Sequence, residues 1–131
     1  MRLLLDTHSF IWACVEPGKL SNTERDAISF AGNEIFISAA SAWEIAIKRN
    51  LGRIAFPIDR FDEMTAALGF EVLSMTAAQA IAAGSLPRHH DDPFDRMLIA
   101  QARLEGLTVV TADAQFKKYE VALFGKVGPE V

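Results

Sequence analysis

Four acidic side chains stand at positions where one chain can use them together. They are Asp6 in LLLDTH (residues 3–8), Glu44 in SAWEIAIK (41–48), Asp95 in DPFDRMLIAQA (92–102) and Asp113 in TVVTAD (108–113). Carboxylates that converge on one place bind a hard divalent cation, because such ions take oxygen ligands. The bound ion can then activate water and neutralise a phosphate. Each acid also has a plain structural explanation. Glu44 has the spacing of an N3 partner to Ser41, and Asp95 that of N3 to an Asp92 N-cap with Pro93 at N1. Asp6 and Asp113 each precede a helical stretch that they can cap. One cap contributes about 0.5–2 kcal/mol, so no acid taken singly requires chemistry.

The elements around these acids decide between the two readings. Short buried β-like runs alternate with helical patterns. Strands are expected at 2–6, 34–38, 70–73 and 107–110, with a weak final strand in 120–128. Helices are expected at 8–15, from Ser21 to about Ala31, from Ser41 to near Asn50, at 59–68, from Thr76 to Gly84, from Pro93 to Glu105, and in a short turn from Asp113. This alternation predicts an α/β fold of three layers, with a parallel sheet covered by helices on both faces. Right-handed crossovers bring strand C-termini and helix N-termini to one edge of such a sheet, where ligands bind. Asp6 and Asp113 follow strands, and Glu44 and Asp95 lie in early helical turns, so all four are expected on one rim. Four like charges there repel each other. A cation is the natural compensator. Glu24 repeats the Ser-x-x-Glu pattern without a strand end immediately before it and is assigned a capping role only.

Composition bounds the rest. The chain has 131 residues, which predicts a single domain over 1–131. Half of them are apolar, enough for a core and mildly in favour of a self-association or partner surface. The net charge is 13 − 17 = −4, so nucleic acid would have to be held by a local basic patch or a bound cation. Arg49, Arg53, Arg88, Arg96, Lys117 and Lys118 are candidates for such a track. The single Cys14 excludes a disulfide framework and a cysteine zinc cluster, and reads as a small core residue. No stretch approaches the ~18 apolar residues of a membrane span, and the N-terminal leucines are too few for a signal-peptide core. A cytoplasmic protein is expected.

Taken in order, LLLDTH, SAWEIAIK, DPFDRMLIAQA and TVVTAD make the chain resemble a PIN-domain protein of the VapC toxin type, across nearly its whole length. The third motif is the most specific. The resemblance implies a sheet of roughly five parallel strands and a metal-dependent endoribonuclease. It also implies a homodimer inhibited by a cognate VapB-like antitoxin. The family's acids map onto Asp6, Glu44, Asp95 and Asp113.

That chemistry needs one or two Mg²⁺ or Mn²⁺ ions. Asp6 and Asp95 are the first candidates for direct ligands, and Asp113 for a direct or water-mediated one. Glu44 would bind a second ion or orient the water. Thr7 and Thr111 either hold ligand carboxylates or satisfy turn backbone. Lys48 is either an i,i+4 partner of Glu44 or a phosphate contact, and Arg96 is a further candidate for RNA phosphate. His89 and His90 fit an ordinary polar loop, since carboxylate-rich Mg²⁺ sites need no imidazole. Trp12 and Trp43 are expected in the core. Two rivals remain: a receiver-like or phosphatase domain, which also gathers aspartates at strand ends, and a PIN-fold RNA- or protein-binding module without nuclease activity.

Overall fold

The computed structural model describes residues 1–125. Its centre is β1 (Arg2–Leu5), whose three leucines are completely buried. Beside it lie β2 (Glu34–Ser38) and β4 (Thr108–Val110), and β3 (Glu71–Leu73) completes the sheet in the order β3-β2-β1-β4. Every pairing is parallel. A parallel sheet is covered on both faces, which is why β1 reads as an unbroken apolar run. Successive side chains alternate between the faces. Leu3 and Leu5 enter one core with Phe10, Ile35, Ile37, Ile45 and Val110. Leu4 enters the other with Phe36, Leu98, Ile99, Val109 and Phe116.

Helices supply the outer layers. On the first face lie α1 (Thr7–Val15), α2 (Asn22–Ser29), α3 (Ala39–Asn50) and α4 (Phe61–Leu68). On the second lies α6 (Pro93–Glu105), with α5 (Ala77–Gly84) packed along it. This is the expected three-layer α/β/α arrangement. No helix among the described residues is long and apolar enough to cross a membrane.

The fifth strand is a correction. In the stretch expected to pair at 120–128, Leu123 makes a single parallel bridge to Val109, and residues 126–128 lie outside the described residues. Gly125, the last described residue, has φ +77°, a left-handed conformation that a β-strand does not adopt. The sheet therefore has four strands among the described residues.

A second correction concerns α3. Ser38, the last residue of β2, caps this helix by accepting from the Ala40 N–H at 3.0 Å. Strand passes into helix with no intervening loop, so Ser41 and Glu44 lie inside α3 and form no capping box. A third concerns Trp43, which is 57 % exposed and meets the ring of Phe94 edge-on at 5.3 Å. Trp12 is half-buried, as is Cys14, whose thiol burial pushes up to about 11.

The first core converges on Phe10, whose ring lies 5.5–6.2 Å from those of Phe56, Phe61 and Phe70. Replacing it empties the junction of α1, α4 and the sheet. Phe10→Ala is expected to lower stability by about 3–5 kcal/mol in urea unfolding with an unchanged m-value. A loss under 1 kcal/mol would mean the core closes around the gap.

Candidate active site

The carboxyl edge of the sheet gathers the acids. Asp6 follows β1 directly, Asp113 lies just beyond β4, Asp95 is the third residue of α6, and Glu44 is in the second turn of α3. A small cavity of about 140 Å³ is lined by Asp6, Thr7, Glu44, Lys48, Asp95 and Asp113, together with His8, His90 and Asp92. The structure thus brings the four expected carboxylates into one pocket.

Each is held differently. Asp6 is buried and divides its two oxygens between two tasks. Oδ1 accepts from the Ser9 N–H at 2.8 Å and so caps α1, while Oδ2 accepts from the Thr111 hydroxyl at 2.5 Å. Burial pushes this carboxyl above its ordinary value, and the bonds from Thr111 and Ser9 pull it part of the way back. Glu44 is only 4 % exposed. Its Oε1 accepts from the Thr7 hydroxyl at 2.6 Å, and its Oε2 lies 2.6 Å from Lys48 Nζ. Ser41 Oγ is 2.9 Å from the same Thr7 hydroxyl, so the serine expected to cap α3 instead supports the site.

Asp113 is exposed and caps the 3₁₀ turn Ala114–Lys118 by accepting from the Gln115 N–H at 2.9 Å. Thr111 reaches both acids, since its oxygen also accepts the Asp113 N–H at 3.0 Å. Asp95 is free of capping duty because Asp92 performs it, accepting from the N–H groups of Phe94 and Asp95. Burial raises the Asp95 carboxyl to about 6, with the charges of Asp92 and Asp6 adding to the rise and His90 opposing it.

His90 is the residue sequence reasoning undervalued. Its Nε2 lies 2.8 Å from Asp95 Oδ2. Ligand atoms of His90, Asp95 and Asp113 all lie within 4.8 Å of one another, the geometry of a metal-binding group. Nothing periodic marked it. The available signal was its place directly ahead of a helix start that carries a candidate ligand at N3. His89 instead turns outward against the Tyr119 ring at 5.2 Å. Arg96, expected at RNA phosphate, directs its guanidinium into the protein. It donates to the carbonyls of Leu86 at 2.9 Å, Pro87 at 3.0 Å and His90 at 3.2 Å, and so ties the loop between α5 and α6 to the start of α6.

Of the other basic residues, Arg49 pairs with Asp59 and Arg88 with Asp91, both at the surface. Lys117 and Lys118 are exposed on the turn that Asp113 opens.

The donor set suits a divalent cation. Five acids line the cavity, while only Lys48 and two histidines offer positive charge. The raised carboxyls of Asp6 and Asp95 show that burial here outweighs the hydrogen bonds that favour their charged forms.

Residues 3–122 match the PIN domain. The chain belongs to the PIN-domain family. It is 31% identical over 120 residues to Ribonuclease VapC22 of Mycobacterium tuberculosis, an alignment covering 89% of this chain and 91% of that one. VapBC2 from Rickettsia felis, solved bound to a DNA fragment from its promoter, shares the fold with a TM-score of 0.69 at 16% identity. That likeness covers 94% of this chain and 96% of the other. DNA-bound VapBC from Salmonella typhimurium gives 0.65 at 20% identity, with the same coverage. The PIN fold thus accounts for the four-stranded parallel sheet and its flanking helices.

The raised Asp95 carboxyl has a sign that can be checked. A folded value of about 6, above the ordinary 3.8, means this group's contribution to stability is present at low pH and lost as pH rises through 6. Metal-free Asp95→Asn is therefore expected to be more stable than the parent at pH 7, by about 1–2 kcal/mol after allowing for solvent screening, and nearly equal to it at pH 4. Urea unfolding at the two pH values measures this. A mutant less stable at pH 7 would show that Asp95 serves the fold.

Proposed function

We propose that this chain is a single-domain, Mg²⁺- or Mn²⁺-dependent endoribonuclease of the VapC toxin type. It hydrolyses RNA phosphodiesters through Asp6, Glu44, Asp95 and Asp113, and a cognate VapB-like antitoxin holds it inactive. The observation that carries the reading is the convergence of these four carboxylates, from distant parts of the chain, in one small cavity. Kinship with a protein named as a ribonuclease supports the activity, and the VapBC complexes among its structural relatives support an antitoxin partner.

Asp6, Asp95 and Asp113 would hold one or two ions. When bound, the metal supplies an activated water and neutralises phosphate charge. The remaining work belongs to the chain. Thr111 fixes the Asp6 oxygen that faces the pocket, and Thr7 fixes Glu44. Glu44, buried and acceptor-only, is placed to orient water or to hold a second ion. Lys48 balances Glu44 and lies at the cavity wall, where a phosphate would meet it. Arg96 acts through the loop that it ties down.

A homodimer is part of the same reading. Trp43 and Ile47 on α3 and its C-cap Leu51 form an exposed apolar stripe at i, i+4, i+8, beyond what a solvated helix face needs.

Calorimetric Mn²⁺ titration into the millimolar range, followed by incubation with structured RNA, tests the core of the proposal. The parent should bind and cleave. Asp6→Asn should lose both, and Thr111→Val should lose about 10–100-fold in affinity or activity. Metal binding with RNA left intact would favour a PIN-fold binding module instead. No binding at all would leave the capping explanation of the acids.

The RNA path has its own test. Lys117→Glu with Lys118→Glu should weaken RNA binding across sequences and reduce the salt slope by about 2, leaving Mn²⁺ affinity unchanged. An unaltered slope would place the basic track elsewhere.

A further inference from the structure

We propose that His90 is a ligand of the cation at this site and biases it toward first-row transition ions such as Mn²⁺ over Mg²⁺. The inference rests on the metal-dependent reading above and adds to it a residue outside the four carboxylates.

Three observations carry it. The first is convergence. A ring nitrogen of His90 and a carboxylate oxygen from each of Asp95 and Asp113 lie within 4.8 Å of one another. An ion about 2.0–2.6 Å from each ligand atom bridges such a spacing. A simple partnership with Asp95 would not require Asp113 to approach the same imidazole. Yet Asp113 is delivered there from beyond β4, by a turn that Thr111 and Gln115 hold in place.

The second observation is preorganisation. The His90 N–H donates to the Tyr119 hydroxyl at 3.0 Å, and its carbonyl accepts from Arg96 Nη1 at 3.2 Å. The Tyr119 hydroxyl donates in turn to the Pro87 carbonyl at 2.7 Å, and Tyr119 is itself buried. Both backbone groups of this loop residue are thus fixed by side chains from α6 and from the segment after the 3₁₀ turn. Its neighbour His89 points outward, so the anchoring aims one imidazole and not the other.

The third is enclosure. The His90 side chain is 17% exposed and that of Asp95 is 16% exposed, and both line the same small cavity. An imidazole enclosed among carboxylates changes what the site prefers. Mg²⁺ favours oxygen ligands and retained water, whereas imidazole is a natural ligand of first-row transition ions.

Pulsed electron paramagnetic resonance on Mn²⁺-loaded protein tests the assignment without any RNA. The parent and His89→Gln should show modulation from one directly bound nitrogen, and His90→Gln should not. By calorimetry, His90→Gln should lose about 10-fold or more in Mn²⁺ affinity and much less in Mg²⁺ affinity. His8→Gln, which removes the other imidazole at the cavity, should keep the nitrogen signal, and the comparison of parent with His8→Gln decides the question even if His90→Gln folds poorly. Oxygen-only coordination in the parent, or unchanged Mn²⁺ affinity in a folded His90→Gln, would overturn the ligand assignment and leave the metal-dependent reading standing. A parent that binds neither ion would overturn that reading, and this inference with it.

Discussion

Like charges brought into a small cavity repel one another, and the loss of water around them strengthens that repulsion. The carboxyl edge of this sheet has to tolerate that. Burial raises the Asp6 and Asp95 carboxyls, and at Asp95 the charges of Asp92 and Asp6 add to the rise. The protein answers with directed hydrogen bonds rather than with cations. Thr111 serves Asp6, Thr7 serves Glu44, Asp92 takes the capping duty beside Asp95, and Lys48 is the one amine at the cavity among the described residues. Balancing every acid with an arginine or lysine would relieve the repulsion and also abolish the affinity for a metal. The shortage of positive charge therefore leaves the pocket open to a cation, as the proposed function requires.

Capping and chemistry turn out not to be competing explanations for the acids. Asp6 caps α1 with one oxygen and turns the other toward Thr111. Asp113 caps its turn while its carboxylate stays within reach of His90 and Asp95. Capping fixes rotamers that a metal site needs fixed, at the one end of a helix where N–H groups are in surplus. Asp95 shows the other solution. A neighbouring aspartate takes the cap, and the helix start with Pro93 at N1 holds Asp95 at the rim with its carboxylate uncommitted to the backbone. This accounts for Asp92 and Asp95 standing so close together at the start of an apolar helix.

Much of this was legible in the sequence because it depends on short-range rules. Alternating buried strands and helices gave the three layers, and the boundaries of α6 followed from Asp92, Pro93 and Gly106. The convergence of the acids followed from parallel topology alone. What was not legible depends on three-dimensional context. Ser38 and Ser41 are equally good caps on paper, and only the direct passage of β2 into α3 selects Ser38. Trp43 is apolar in a helix that faces two environments, and periodicity does not say that its side of α3 lies outside. The weak final strand expected in 120–128 is a single bridge at Leu123 among the described residues, beside a left-handed Gly125. Arg96 looked like a surface cation because its carbonyl partners sit in a loop without pattern.

That loop shows how the fold couples its two sides. Arg96 and Tyr119 rise from different elements, and both bind the backbone between α5 and α6. Both also belong to the packing of the second core: Arg96 stands on the helix that builds it, and the Tyr119 ring lies within it. The position of the loop is therefore set by the same core that seats β4, the strand that leads to Thr111 and Asp113. A residue carried by the loop keeps its register with Asp95 and Asp113 because all three refer to one packed body. Loops place side chains with precision only when their carbonyls and N–H groups are claimed by a rigid scaffold. Here they are claimed, and the polar loop that carries His90 becomes one wall of the cavity.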